Sequence, residues 1–345
     1  MSRLTKTWLA SLACRLSESP LLKLPALQCD GRSNVLRVLT YHRVDWPDAR
    51  PDLSSTTLSA TPTGFAAQME CLREHFQVVG LDEVREAFAR GRKLPPKAVL
   101  ITFDDAFRDF RQHAWPVLQR LELPVTLFVP TAFPNQPSRV FWWDLLHHLI
   151  AQAPSDTGIE TRFGRLQLSA ETDRRDLYSR LAARLARMPH NAALQEVHRL
   201  AELCNTPPAP PAVLPWTDLK LLAAEGVSLA PHTRTHPLMN RISLEQARDE
   251  LRGAREDLAA HIGDTPPVFA YPGGAYSREV LRLLADEGFE LAFTTCRGAN
   301  DLHRCDPLQL RRINVGRRTT PELLRAQLSL PPEVANLIWP LRSAA

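Results

Sequence analysis

A chain of 345 residues with 44% hydrophobic and 23% charged side chains is long enough to bury a large core, as one big α/β domain or two smaller ones. The net charge of +4, evenly spread, gives no basis for nucleic-acid binding, and no long apolar run interrupts the ordinary composition. The six cysteines are scattered without metal-knuckle spacing and read as reduced thiols of a cytosolic protein.

Residues 1–34 form a leader to the domain. Arg3 and Lys6 precede a short apolar run that Arg15 cuts off, at the lower limit for a secretory signal. Leu4, Trp8, Leu12 and Leu16 instead share one face of an amphipathic helix, which either packs on the domain or makes peripheral contact with a membrane surface.

From residue 35 the chain alternates strands and helices, which predicts a mainly parallel sheet or a barrel. The first strand spans 35–42 and ends on Tyr41 and His42. Phe65, Met69, Leu72 and Phe76 keep helical spacing. A short strand at 77–79 and a helix at 82–90, ended by Gly91, lead to the buried strand 98–103. A helix over 109–121 and a strand over 124–130 follow. The rhythm breaks between about 134 and 214, a stretch of helical segments (141–152 and 171–188) closed by a proline-rich run, which reads as an insertion on a βα loop. It then resumes with a helix at 217–225, a strand at 227–230, and a helix from the Ser243–Gln246 capping box to about 261. A strand at 268–271, a helix at 277–287, a strand at 291–295 and a last strand near 308–315 complete the alternation. The segment 319–345 forms a C-terminal helix, capped by Thr320, and a tail.

Three strand ends carry polar groups: Asp104-Asp105, His232 with His236, and Tyr271-Pro272-Gly273-Gly274. In parallel α/β sheets and barrels the carboxyl ends of the strands form the active face. His232 and His236, four apart, would share one face of a helical turn. Two imidazoles and a carboxylate are the donor set of a catalytic zinc site, and they suit Zn²⁺, Co²⁺ or Ni²⁺ better than Mg²⁺. The pair is not a metalloprotease motif, because Arg234 and Thr235 stand where a glutamate is needed. A backbone N–H beside Tyr271 is a candidate oxyanion donor.

Thr102-Phe103-Asp104-Asp105 and His232-Thr233-x-x-His236 resemble the first two motifs of the polysaccharide deacetylases, the NodB-homology domain of carbohydrate esterase family 4. Tyr41-His42-Arg43-Val44, Phe141-Trp142-Trp143-Asp144 and Phe269 to Gly274 are similar to the branch found in bacterial cell-surface polysaccharide clusters. The resemblance implies an α/β fold, a distorted (β/α) barrel of about seven strands (NodB-like) over roughly 35–318 with the helical insertion at about 134–214. It implies that Asp105, His232 and His236 bind the metal, most readily Zn²⁺. Asp104 would be the base that takes a proton from the attacking water.

The chain departs from the family pattern in three places. Ala106 follows Asp-Asp where the family has Gly, and Ala270 replaces an arginine that orients the base. Arg312 stands where the family's general-acid histidine would be. Arg311 or Arg312 is the candidate for the missing cation, with Arg312 preferred. His42 is the candidate acid, against the alternative that it only hydrogen-bonds in the core. Tyr271, Pro272, Gly273, Arg312 and Trp142 are the candidate substrate-contacting residues, although two Trp on an insertion helix, such as Trp142 and Trp143, more often anchor that helix.

The function implied is hydrolytic N-deacetylation of an N-acetylated sugar in a surface polysaccharide, lipopolysaccharide or lipid-linked precursor. The cellular site expected is the cytoplasm, with the inner face of the inner membrane as the alternative placement. A degenerate glycan-binding protein and a hydrolase of another non-peptide C–N bond are the alternatives.

Overall fold

The computed structural model describes residues 34–47, 57–136, 138–153, 158–167 and 171–331. The amphipathic segment from Leu4 to Leu16, the cysteines Cys14 and Cys29, and the tail past 331 lie outside the described residues. The chain opens with β1 (Val35–Tyr41), β2 (Arg43–Val44) and β3 (Leu58–Ala60), then α1 (Pro62–His75), β4 (Gln77–Val78), α2 (Leu81–Arg90) and β5 (Ala98–Phe103). A π-helical turn (Phe110–Ala114) runs into α3 (Trp115–Arg120), and β6 (Thr126–Val129) follows. The insertion holds α4 (Trp142–Gln152), a hairpin of β7 (Gly158–Thr161) and β8 (Gly164–Gln167), α5 (Glu171–Leu185) and α6 (His190–Leu203). Next come α7 (Trp216–Ala224), β9 (Ser228–Pro231), α8 (Leu244–His261), β10 (Val268–Ala270) and α9 (Arg278–Asp286). The last elements are β11 (Leu291–Phe293), β12 (Asn300–Asp301), β13 (Ile313–Asn314) and α10 (Pro321–Ser329).

Local chemistry sets most of these boundaries. Thr61 accepts from the Gly64 N–H ahead of Pro62, which starts α1, and Phe65, Met69 and Leu72 bury its apolar face. Gly91 ends α2 at φ +65°, and the Ser243–Gln246 capping box opens α8. Two expectations are corrected. The helix expected over 109–121 begins as a wider turn, with Trp115 N–H reaching the Phe110 carbonyl, because Pro116 has no N–H to offer the α-helical ladder. The strand expected near 308–315 shrinks to β13, because Pro307 and the Asp306 cap fold 307–309 into a 3₁₀ turn. The β7–β8 hairpin and α6 were not foreseen.

The parallel ladder runs β13–β1–β5–β6–β9, with β4 on β5 and β12 antiparallel to β1. A separate parallel pair, β10–β11, continues the curve, and Phe293 bridges to Leu310 just before β13. These strands form the distorted barrel. Alternation along them separates two cores. Val38, Leu100, Phe128, Ala230, Ala270 and Phe293 fill the interior, while Leu39, Ile101, Phe103, Leu127 and Val129 pack outward on the helices. The insertion has its own core of Leu145, Leu149, Leu181, Val197 and Leu200. The carboxyl ends of β1, β5, β9 and β10 converge on one face.

Candidate metal centre and active site

Asp105 follows β5, and His232 follows β9. Asp105 Oδ1 lies 3.6 Å from His232 Nε2 and 3.2 Å from His236 Nε2, and a ligand atom from each of the three lies within 4.8 Å of the others. His232 Nδ1 sits 2.7 Å from the Ala270 carbonyl, which can only accept, so Nδ1 carries the proton and Nε2 keeps its lone pair. Burial depresses His232 to about 4, against the pull of Asp104, so the ring is neutral at pH 7. Asp105 is buried too, but His236, His42 and His232 overcome the burial and hold its carboxyl well below the usual range. Its Oδ1 is buried with no hydrogen-bond partner. A buried carboxylate oxygen without a hydrogen bond, facing two imidazole nitrogens, is costly unless a cation sits among them, so these residues fit a divalent metal.

The two histidines do not share a helical turn, which corrects the expectation. Thr233 and His236 both take φ of +63°, and Thr233 Oγ1 accepts from the His236 N–H at 3.0 Å, folding the loop back on itself. Glu250 on α8 accepts from the N–H groups of Arg234 (2.7 Å) and Thr235 (2.8 Å) and from the Thr235 hydroxyl (2.5 Å). Sequence reasoning missed this glutamate, because helical periodicity does not say what a polar residue meets.

Asp104 points to a different partner. Arg312 donates to its two oxygens at 2.8 and 2.7 Å, and also to the Thr294 carbonyl at 2.8 Å. The pair is almost wholly buried, and Arg312 is 1% exposed. Burial raises Asp104, but Arg312 and His232 outweigh it and keep the carboxyl ionised. Arg312 is thus the cation that holds Asp104, while Ala270 contributes its backbone carbonyl to His232. Arg312 does not line the cavity, so its candidacy as a substrate contact is corrected.

Asp104, Asp105, His232, His236, His42, Trp142 and Gly273 line one cavity of about 290 Å³. Tyr271 and Pro272 do not line it. The Tyr271 ring is fully buried with its hydroxyl on the Leu308 carbonyl, and its N–H is spent on the Phe293 carbonyl at 3.0 Å, so it is no oxyanion donor. Gly273 (φ +59°) and Gly274 (φ +70°) make the turn beyond it, where a Cβ on Gly274 would collide with the Thr295 backbone.

Ala106 does adopt the left-handed region, at φ +49°. That costs a non-glycine residue about 1–2 kcal/mol. The loop is held there by pairing with the end of the insertion: Leu214 N–H donates to the Ala106 carbonyl, Arg108 N–H to Ala212, and Phe107 bridges Val213.

A second buried charge cluster went unassembled in the sequence. Arg43 donates to Asp144 at 2.6 Å, approaches Asp109 at 3.7 Å, and lies 3.6 Å over the Phe107 ring. It fastens α4 to the barrel. Its signal was a lone charge in each of two apolar segments, 41–44 and 141–144. Burial raises Asp144, and it raises Asp109 to about 7 despite Arg43. Between pH 4 and 7 the native chain thus keeps a proton on Asp109 that the unfolded chain has released, so this group's stabilisation falls as pH rises. Asp109→Asn, neutral and still able to accept from Val44, should gain on the wild type by roughly 2–3 kcal/mol between pH 5 and pH 8. Urea unfolding at both pH values reads this, and an equal gap at both would exclude Asp109 as the titrating group.

The family profile for polysaccharide deacetylase matches residues 91–292. YxkH of Bacillus subtilis, which bears the same family description, is 20% identical over 265 residues, covering 76% of this chain and 66% of its own length. The poly-β-1,6-N-acetyl-D-glucosamine N-deacetylase of Escherichia coli is 36% identical over 87 residues, 25% of this chain and 12% of that one. The chain thus spans less than two thirds of either curated relative. In structure it is similar to the Streptococcus pyogenes deacetylase PplD, with a TM-score of 0.58 and 20% identity over 87% of this chain and all of that one. With its profile match over more than half its length, the chain belongs to the polysaccharide deacetylase family.

Proposed function

We infer that this enzyme hydrolyses the acetamide of an N-acetylated sugar with the help of a divalent metal. One observation carries the reading: a buried Asp-His-His cluster with an orphaned oxygen shares a cavity with a second aspartate gripped by an arginine. Asp105, His232 and His236 would hold the metal, for which Zn²⁺ is the natural occupant of two imidazoles and a carboxylate. When bound, such a metal supplies Lewis acidity, polarising the acetamide and acidifying water.

The protein's own groups do the rest. Asp104, ionised and oriented by Arg312, takes a proton from the attacking water. His42 lines the same cavity and gives a proton to the departing amine, so that water and acetamide become acetate and a free amino sugar. Trp142 offers an aromatic wall to the sugar. The relatives' printed activity supports an N-acetylated polysaccharide as substrate, and its place in a bacterial surface polysaccharide, lipopolysaccharide or lipid-linked precursor belongs to the proposal. No helix among the described residues is long and apolar enough to cross a membrane. Contact of the N-terminal segment with the inner membrane's cytoplasmic face belongs to the proposal. Ala106, Ala270 and the missing Leu-x-His motivate the degenerate binding protein as the alternative, and the grip of Arg312 on Asp104 supports the enzyme over it.

Asp104→Asn keeps the shape and the Asp105 cluster. Acetate release from N-acetylglucosamine oligomers should fall by about 10²–10⁴ while metal content stays at the wild-type level. Unchanged release would sink the assignment of the base.

A further inference from the structure

The insertion bears on how much of a glycan the site takes. One side of the 290 Å³ cavity is barrel, with the metal-site residues and Gly273. The other side is insertion: Trp142 and Trp143 of α4, Leu185 at the end of α5, Met188, and His190 and Ala193 of α6. Arg241, in the 3₁₀ turn after the histidine loop, ties this roof to the barrel by donating to the Ala186 carbonyl, and His190 of the roof shares the wall of a neighbouring cavity with Thr235, between the two ligand histidines.

Trp142, Trp143 and His190 also line a second cavity of about 310 Å³, so they stand as a partition between the two spaces. Trp143 is fixed in that wall by stacking on Phe141 at 4.6 Å and by edge contact with His236 at 5.2 Å. A polymer threading past the metal centre needs an open groove on both sides of the reacting sugar. Here one side is walled by aromatic rings. The cavity itself lies at the lower end of the roughly 300–1,000 Å³ typical of pockets that enclose a small molecule.

We propose that the insertion makes this a chain-end deacetylase, whose pocket takes one terminal acetamido sugar and excludes internal residues of a polymer. The proposal rests on the deacetylase reading and adds the substrate's topology to it.

The test uses the full-length, metal-loaded protein with β-1,4- and β-1,6-linked N-acetylglucosamine pentasaccharides and the free monosaccharide. Acetate is measured, and the free amines are positioned by tandem mass spectrometry. Amines should appear at one terminal sugar, with internal sugars slower by about tenfold or more. Arg241→Ala, which releases the strap and removes one side chain from the cavity wall, should raise the internal fraction several-fold. Amines spread along the internal sugars by the wild type overturn the chain-end proposal and leave the deacetylase reading standing. An internal fraction unchanged in Arg241→Ala overturns the role given to the strap. Acetate from none of the probes overturns the deacetylase reading, and the chain-end proposal with it.

Discussion

His232→Ala should abolish metal retention. The wild type is expected to carry about one transition metal per chain by elemental mass spectrometry, and the variant less than a tenth of that. Losing a group that merely orients a ligand costs about 10–100-fold in affinity, and losing the ligand itself costs more. The physical reason is the donor set. Asp105 Oδ1 and the two Nε2 atoms are already gathered, and His232 is held in the ligating tautomer by the Ala270 carbonyl. Removing the imidazole also leaves that carbonyl without its donor, at a cost of about 1–3 kcal/mol. Asp105→Asn serves as the companion because it keeps the side chain's shape, and it should lose the metal as well. Circular dichroism distinguishes a lost site from a lost fold. Metal retained by both variants would remove this cluster as the site. A wild type that takes up neither Zn²⁺ nor Co²⁺ would turn the protein into the glycan-binding alternative.

Arg312→Met should be the most destabilising change in the barrel interior, at about 3–5 kcal/mol by urea unfolding. That is the cost of leaving a buried partner charge uncompensated. Asp104 would then be a carboxylate with 3% exposure and no counter-ion. It escapes the penalty by taking a proton, which disables it as a base, so acetate release should fall along with stability. Arg312→Lys restores charge without the two-pronged fork and should recover only part of either property. The decisive comparison is the double variant with Asp104→Asn. If the charge is what matters, the second substitution relieves at least about half of the loss. If Arg312→Met costs the same in both backgrounds, the arginine stabilises by packing and not by pairing.

What could be read from the sequence was local. The strands read at 35–42, 98–103 and 124–130 announce themselves as apolar runs, and the structure places them at Val35–Tyr41, Ala98–Phe103 and Thr126–Val129. Ser243 and Thr320 are caps whose hydrogen bonds span three residues. The Asp-Asp and His-x-x-x-His motifs were legible for the same reason, since each sits directly after a buried strand. Once the strands are parallel neighbours, their carboxyl ends must meet. Even the choice of Arg312 over Arg311 was within reach. Arg312 stands just before the apolar start of β13, and the structure buries it on Asp104, whereas Arg311 reaches the Arg297 carbonyl.

The alternation of strands and helices and the Asp-Asp and His-x-x-x-His motifs were determined by the sequence itself, because period, cap and motif act over a few residues. The tertiary structure decided which charge meets which. It paired Arg43 with Asp144 across about a hundred positions, closed the histidine loop on Glu250, turned Tyr271 away from the cavity, and laid the insertion over the metal centre. Such contacts depend on the packing of distant elements in a medium where an unpaired charge is costly. No local pattern encodes them, and they set what this site admits.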